Sequence, residues 1–286
     1  MAVQIGIGLY SVRKELQEDP KGTLKKLCEI GFHHFEPANS HAATDPGLGV
    51  GLTAEEVNEI LSPYGAGIRS THIGPINEET LPGIIKFHQA VGNRDIVRAL
   101  EFYTSYDNIM RRCEDFNRYG KYLVEHGMNK LCYHNHYHEF QEVNGKPILY
   151  HLLENTDPQY FCIEMDTGWD IRGGRDPIAE MRYVGDRLHL IHIKDFTHRP
   201  PNLLYGKTEW INWDNFSANN QPGDTMTPED FCPIGQGMMP IQEILRTADE
   251  LGVAAAVLEQ DETSFDIFEN IAASMARLKT MDHVKI

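Results

Sequence analysis

The chain has 286 residues, of which 41% are hydrophobic and 24% charged, ordinary values for a globular protein with room for a large core. Its formal net charge of -16 and the lack of any basic run make phosphate backbones and anionic lipids poor partners. Apolar runs are too short to cross a bilayer and the first residues lack a signal-peptide pattern, so we expect a cytoplasmic protein that binds neither nucleic acid nor membrane.

The cysteines are scattered through the sequence and form no Cys-x-x-Cys pair. There are five of them, at Cys28, Cys113, Cys132, Cys162 and Cys232. An odd number at irregular spacing is typical of reduced, mostly buried thiols, so we expect no disulfide framework and no structural zinc site.

Short β-rich runs alternate with longer amphipathic stretches, which is the pattern of βα units and a parallel sheet. Eight such runs predict strands at residues 4–9, 33–36, 67–72, 95–102, 130–135, 160–165, 188–193 and 254–259. The stretches between and after them predict helices at residues 20–30, 53–61, 77–91, 106–125, 147–154, 177–183, 241–251 and 264–278. Thr53 followed by Glu56 is a capping box that marks the start of the second helix.

Eight βα units could form either a closed barrel or a doubly wound open sheet. An open sheet usually binds phosphate at a glycine-rich first turn, whereas the first strand here runs into Tyr10-Ser11-Val12-Arg13. No linker separates the two halves of the chain. We therefore predict an α/β protein with a single (β/α)8 TIM barrel, in one domain spanning residues 1–286.

The connection after the seventh strand, residues 196–239, is far too long for a turn. It is polar, rich in Pro, Gly and Asn, and contains Trp210 and Trp213. Loops of this length in compact domains are often lids or binding loops, while a packed surface excursion or an oligomer contact is the alternative. We expect this β7–α7 excursion to cover the mouth of the barrel.

The last four predicted strands each deliver a metal-binding side chain to the end of the barrel where active sites form. Glu139 follows strand five, Asp166 follows strand six, His192 lies on strand seven and Glu259 ends strand eight. Converging carboxylates would repel each other unless a cation neutralised them, and oxygen ligands with one imidazole suit a divalent ion. We predict one such ion, with Mn²⁺ as first choice and Mg²⁺, Co²⁺ or Zn²⁺ as alternatives.

Strand parity selects further residues at this end, because alternate residues point to opposite sides of a strand. His134 and His136 share one face of strand five, and His192 and Lys194 share one face of strand seven. Glu164 lies deeper in strand six, and we interpret it as an interior ion-pair or hydrogen-bond partner rather than a metal ligand.

The sequence resembles the xylose isomerase-like TIM-barrel superfamily, specifically the sugar phosphate isomerase/epimerase group, over nearly its whole length. The resemblance rests on motifs at the strand ends and on one turn. They are Gly8-Leu9-Tyr10-Ser11-Val12-Arg13, Glu36, His72, His134-Asn135-His136-x-x-Glu139-Phe140, Asp166-Thr167-Gly168-Trp169, His192-Ile193-Lys194-Asp195, Pro233-Ile234-Gly235-Gln236-Gly237 and Glu259-Gln260-Asp261.

The resemblance implies a metal held by Glu139, Asp166, His192 and Glu259, and a ketose, keto-inositol or oxidised glycoside converted through an enediolate. In the ketose-epimerase branch the strand-five glutamate lies within the strand. Here His134 stands near that place and Glu139 follows it. This departure leaves open both the strand-five ligand and the two-glutamate proton shuttle of that branch.

A divalent metal that polarises a carbonyl acidifies the neighbouring C–H bond, so a base can remove the proton. Glu139 and Glu259 are the first candidates for base and acid, and His134, His136 and Lys194 are the second.

Three residues near the predicted strand ends are candidates for binding the substrate. Tyr10 and Trp169, like the tryptophans of the excursion, could stack on the apolar face of a sugar or simply pack the barrel mouth. His72 ends strand three.

The leading functional prediction is a divalent-metal-dependent sugar isomerase or epimerase, and the close alternative is a metal-dependent lyase or dehydratase acting on a keto-inositol or 3-keto-glycoside. An apurinic-site endonuclease of the same fold would need three metals and a basic DNA groove, which the net charge of -16 disfavours. The complete ligand set disfavours a non-catalytic subunit. The expected partner is a small sugar or sugar derivative, and a homo-oligomer is compatible with the sequence.

Overall fold

The computed structural model describes residues 2–216 and 226–286, which form a closed ring of eight parallel strands surrounded by helices. Each strand pairs in parallel with the next, and the eighth pairs with the first. The strands are β1 (Val3–Gly8), β2 (His34–Glu36 and Ala38–Asn39), β3 (Gly67–Ile68 and Ser70–Ile73), β4 (Asp95–Arg98), β5 (Leu131–His134), β6 (Phe161–Asp166), β7 (Leu188–Ile193) and β8 (Ala255–Leu258). The predicted (β/α)8 TIM barrel is confirmed.

One helix follows each strand and packs on the outside of the ring. These helices are α1 (Pro20–Ile30), α2 (Ala54–Leu61), α3 (Leu81–Ala90), α4 (Tyr106–Glu125), α5 (Ile148–Asn155), α6 (Pro177–Val184), α7 (Ile241–Leu251) and α8 (Ile267–Leu278). A short helix, Thr167–Arg172, directly follows β6, and another, Arg13–Glu18, follows β1 after a 3-10 turn at Leu9–Val12. Several of the eight outer helices begin at a capping side chain. Asp19 accepts a hydrogen bond from the Gly22 N–H at the start of α1, and Thr53 forms the predicted capping box at the start of α2. None of the described helices is long and apolar enough to span a bilayer.

Side chains alternate between two apolar regions along the strands. The outward faces join the helices in the main core, whereas a separate cluster fills the ring: Val97, Cys132, Cys162, Leu190 and Ala255. Two residues further along β5, β6 and β7, the same inward face carries His134, Glu164 and His192, all buried. The strand period of two therefore places an apolar plug beneath a layer of polar side chains.

The expectation that all cysteines are free is wrong for one pair. Cys132 and Cys162 lie opposite each other in the β5–β6 pairing, with Cα atoms 4.7 Å apart, and their sulfur atoms form a disulfide. The two cysteines are 30 residues apart in the sequence, and only the pairing register of the two strands brings their side chains together, so the sequence pattern does not show the contact. Cys28, Cys113 and Cys232 are free.

The excursion of residues 196–239 is fixed to the barrel at its base. Asp195–Phe196, at the end of β7, pairs antiparallel with Phe231–Cys232 on the returning chain. The Asp195 carboxylate accepts hydrogen bonds from four backbone N–H groups, those of Phe196, Gly235, Gly237 and Met239. The excursion thus leaves and returns beside the strand that carries His192.

Candidate functional site

A cavity of about 550 Å³ opens at the C-terminal end of the strands, within the size range of small-molecule sites. Polar groups and aromatic rings both line it. The lining residues are Tyr10, Ala38, Asn39, Ser40, His72, Ile73, Gly74, Pro75, Arg98, Ala99, Leu100, His134, His136, Trp169, Trp213, Phe216, Glu259 and Asp261.

Four side chains suited to metal binding meet beside this cavity. They are His134 of β5, Asp166 of β6, His192 of β7 and Glu259 directly after β8, each with a ligand atom within 4.8 Å of the others. His192 Nδ1 lies 3.3 Å from Glu259 Oε2, and His134 Nε2 lies 3.4 Å from Asp166 Oδ2. All four are buried. Two imidazoles and two carboxylates around one point form a donor set for a divalent metal.

Lys194 lies against the carboxylates of this group. Its Nζ atom is 3.0 Å from Asp166 Oδ2, 3.0 Å from Glu259 Oε2 and 2.9 Å from Asp261 Oδ2. Burial by itself lowers the pKa of a lysine, but these three carboxylates outweigh it and hold the pKa of Lys194 well above its ordinary value. The side chain is therefore a fixed positive charge. Burial raises the pKa of Asp261 to about 6, and the charge of Lys194 opposes the rise only in part.

A deeper layer of charged side chains orients His192. Its Nε2 lies 2.7 Å from Glu36 Oε1, so Nδ1 faces Asp166 and Glu259. Next to it, His72 pairs with Glu164, which is the interior ion pair expected from the sequence. Burial favours a raised pKa for Glu36, but the imidazoles of His72 and His192 outweigh it and lower the pKa to about 2. Burial raises the pKa of Glu164 to about 7.

A divalent ion fits the group of His134, Asp166, His192 and Glu259 better than the deeper set that shares its two histidines. In the deeper set, His72 and Glu164 already bond to each other. His134 has a fully buried ring that, apart from the contact with Asp166, has no hydrogen-bond partner among the described residues. Burial lowers its pKa to about 4, so the ring is neutral. A neutral, buried and otherwise unbonded imidazole is a ready metal donor.

The structure does not bring Glu139 into this group, which therefore differs from the ligand set that the family resemblance implies. The buried Glu139 carboxylate accepts hydrogen bonds from the Tyr133 hydroxyl and the His136 backbone N–H, and it lies 3.1 Å from His138 Nε2. Tyr133 belongs to the outward face of β5, so the carboxylate is held away from the barrel interior. His134 occupies the strand-five position instead.

The other predicted residues lie around the cavity. Tyr10, His72, His136 and Trp169 line it together with His134 and Glu259, while Lys194 lies just behind Asp261 and Glu259. Trp213 of the excursion also lines the cavity, whereas Trp210 packs against the main core. The described part of the excursion thus reaches the barrel mouth, and its residues 217–225 lie outside the described residues.

Three residues of the quoted motifs contribute to the site although the sequence prediction assigned them no role. Asp261 lies two residues after Glu259, and strand parity alone could have placed it on the same face. Glu36 reaches His192 across the barrel, a contact that depends on packing and leaves no mark in the sequence. Asn135 accepts from the Asp166 backbone N–H and donates to Asp170, which ties the ends of β5 and β6 together.

The curated relatives are enzymes that match short parts of the chain, and no protein-family model matches it. The inosose dehydratase of Mesomycoplasma hyopneumoniae (strain 7448) is 26% identical over 117 residues, 40% of this chain and 37% of that protein. The inosose dehydratase of Geobacillus kaustophilus is 36% identical over 85 residues, 30% of this chain and 27% of that protein. The matches therefore span well under half the length of these relatives.

Solved structures match the fold over nearly the whole chain. A sugar phosphate isomerase/epimerase of Parabacteroides distasonis has a TM-score of 0.77 at 24% identity, covering 100% of this chain and 96% of that chain. A xylose isomerase domain protein of Planctomyces limnophilus has a TM-score of 0.62 at 14% identity, covering 97% and 95%. The IolI protein with a bound zinc atom has a TM-score of 0.64 at 12% identity, covering 99% and 98%. The xylose isomerase-like TIM-barrel fold predicted from the motifs is confirmed.

Proposed function

We propose that this protein is a divalent-metal-dependent dehydratase or lyase acting on a keto-sugar or keto-cyclitol. The observation that carries the proposal is the buried group of His134, Asp166, His192 and Glu259 beside the cavity. The matched inosose dehydratases and the zinc-containing neighbour of the same fold support it.

The donor set favours Zn²⁺ or Co²⁺ over the Mn²⁺ expected from the sequence. With His134 in the place of Glu139, two nitrogen donors join two carboxylates, and imidazole suits zinc better than manganese. When bound, the ion would polarise the substrate carbonyl and acidify the neighbouring C–H bond.

An imidazole and a carboxyl group, those of His136 and Asp261, line the cavity without belonging to the metal group, whereas His72 in the same lining is already bonded to Glu164. We assign proton transfer to them. One removes the proton next to the carbonyl, the C–H electron pair forms a carbon–carbon double bond, and the leaving group departs from the next carbon with a proton from the other. Lys194 supplies a fixed positive charge that stabilises the negative charge developing on the substrate.

Elimination fits this site better than the isomerase or epimerase reaction predicted first. A two-glutamate proton shuttle needs a carboxylate on β5 that faces the cavity together with Glu259. That position holds His134, and Glu139 is bound to Tyr133 instead. An elimination needs only one base and one acid of different strength, and an imidazole with a carboxyl group meets this requirement.

The test is to incubate the metal-loaded protein with a panel of keto-sugars and keto-inositols in D2O. A lyase or dehydratase forms an unsaturated carbonyl product with new ultraviolet absorption. An isomerase or epimerase incorporates deuterium into a saturated product instead. Turnover that breaks no C–H bond would overturn the proposal.

Variants separate the proposed roles in the same assay. Asp261→Asn and His136→Gln should each lower turnover by about 10²-fold, the usual scale for a proton-transfer group, and retain metal. Glu259→Gln should lower both turnover and metal affinity. Asp214→Asn, an exposed carboxylate in the excursion, is the control and should change neither. Full activity in both Asp261→Asn and His136→Gln would contradict the assignment.

A further inference from the structure

A row of aromatic rings leads from the charged group to the rim of the cavity. The Trp169 ring centroid lies 5.6 Å from Lys194 Nζ and 6.3 Å from the ring of Phe216. Phe216 lies 5.5 Å from Phe102, which in turn lies 5.8 Å from Trp213. We call Phe102, Trp169, Trp213 and Phe216 the aromatic wall. It begins beside Lys194; Trp169, Phe216 and Trp213 line the cavity, and Phe102 connects the last two through its ring contacts.

The exposure of these rings changes along the wall. Trp169 and Phe216 are buried, at 6% and 8% exposure, whereas Trp213 is 71% exposed although it lines the cavity. A tryptophan this exposed contributes little to burying apolar surface within the chain. Its free face is available to a flat group on a ligand. Leu100 adds a further apolar side chain to the same lining.

The charges along the described lining of the cavity disfavour a phosphate on the group that leaves. Among the described lining residues, Arg98 is the one arginine or lysine, and its Nη2 lies 2.9 Å from Glu101 Oε2. Residues 217–225, which complete the excursion, contain no lysine or arginine in their sequence. Glu259 and Asp261 add negative charge to the lining. Glu101 and these carboxylates offset the charge of Arg98, so the described lining favours a neutral aromatic group over a phosphate.

We infer that the aromatic wall is a subsite for an aromatic ring on the group that leaves, so that the substrate is an unphosphorylated aryl glycoside in its keto form. The inference rests on the proposed function, because it places the sugar ring at the metal group and the leaving group along the wall. Stacked and edge-to-face contacts with Trp213 and Phe216 would hold the ring.

Calorimetric titration of the zinc-loaded protein tests the subsite without any turnover. The probes are phenyl β-D-glucopyranoside, methyl β-D-glucopyranoside and D-glucose 6-phosphate. We expect the phenyl glycoside to bind about tenfold more tightly than the methyl glycoside, the scale of one to two aromatic contacts. Trp213→Ala and Phe216→Leu should each remove most of this preference. Tyr205→Ala is the matched control, since Tyr205 is an exposed aromatic residue of the same excursion that does not line the cavity.

Three outcomes would overturn the subsite. They are equal affinity for the two glycosides, no binding of the phenyl glycoside, and tightest binding of glucose 6-phosphate. A phenyl preference that Tyr205→Ala removes as fully as Trp213→Ala does would also count against it. Because the probes are not oxidised, a phenyl preference together with no elimination on any keto-sugar would retain the subsite and reject the proposed reaction. Elimination without a phenyl preference would do the reverse.

Discussion

Tyr133 and His134 are neighbours in the chain, yet their side chains serve opposite sides of β5. The His134 ring lies inside the barrel, 3.4 Å from Asp166, whereas the Tyr133 hydroxyl donates to Glu139 on the outer side. A step of one residue along a strand reverses the direction of the side chain. The identity of the strand-five ligand therefore depends on parity rather than on which residue has the stronger metal affinity.

This difference predicts that two substitutions on the same segment change the zinc affinity by very different amounts. His134→Ala should weaken zinc binding by more than about 100-fold, because losing a ligand costs more than losing an outer contact. Glu139→Gln keeps the shape of the side chain and should change the zinc affinity by less than about tenfold. Competition with a chromophoric chelator measures both. Equal weakening by the two variants would favour the ligand set that the family resemblance implied.

At this scale, the ends of parallel strands bring Asp166, His192 and Glu259 together, as their positions in the sequence lead one to expect. Glu139 lies apart from them, because its place depends on a hydrogen bond to Tyr133 made after the strand ends. Hydrogen-bond partners of loop residues are set by tertiary packing, and strand periodicity carries no information about them.

The carboxylate of Asp195 organises the base of the 196–239 excursion. It accepts N–H groups from Phe196, Gly235, Gly237 and Met239 at 2.8–3.0 Å. The Gly235 backbone has a φ of +79°, a left-handed conformation that suits glycine in this tight turn. One side chain thus joins the first and last residues of the 196–239 excursion.

Asp195→Asn should loosen the excursion without unfolding the barrel. The amide has one acceptor oxygen instead of two and loses the charge, so the variant should be less stable by about 2 kcal/mol or more. Hydrogen exchange at Gly235 and Gly237 should become faster, and mass spectrometry of peptides from this segment would measure it. Asp176→Asn is the control, because asparagine replaces an aspartate helix cap well. Unchanged exchange in Asp195→Asn would show that other contacts hold the segment.

All eight strands were predicted at the element scale, and the errors fall at their ends. The fourth was predicted over residues 95–102 but ends at Arg98, and α3 begins at Leu81 rather than at residue 77. The Asn77 side chain accepts from the Glu79 and Thr80 N–H groups and forms a turn before the helix. The short helix Thr167–Arg172 was missed, although Asp166 caps it. At such boundaries, hydrogen bonds from capping side chains decide where a helix begins, and the spacing of apolar residues does not show them.

At the scale of the whole molecule, the free energy of unfolding depends on pH through a buried histidine outside the candidate site. His88 of α3 is fully buried, and its Nδ1 lies 3.1 Å from the Asn93 side-chain nitrogen. Burial lowers its pKa from 6.5 to about 4. Between these two pH values the unfolded chain binds a proton that the folded protein excludes, so the contribution of His88 to stability is lost as the pH falls.

Comparison of the parent with His88→Gln isolates this contribution from the other titrating groups. Between pH 7 and pH 5 the parent should lose about 2 kcal/mol more unfolding free energy than the variant, as the shift in pKa requires. Urea denaturation at both pH values measures the difference. His198→Gln, at an exposed position, is the control for replacing a histidine by glutamine. Parallel pH profiles for the parent and His88→Gln would show that His88 is protonated without cost.

The course of β7 connects the metal group to the excursion. His192 and Lys194 are followed directly by Asp195, so one short segment bears on both the ligand set and the base of the excursion. Where one binding event changes the affinity of another by some factor, the second changes the affinity of the first by the same factor. An excursion that tightens metal binding is therefore itself held more firmly by the metal. The supply of metal would then shift the fraction of molecules in which the excursion is held against the barrel.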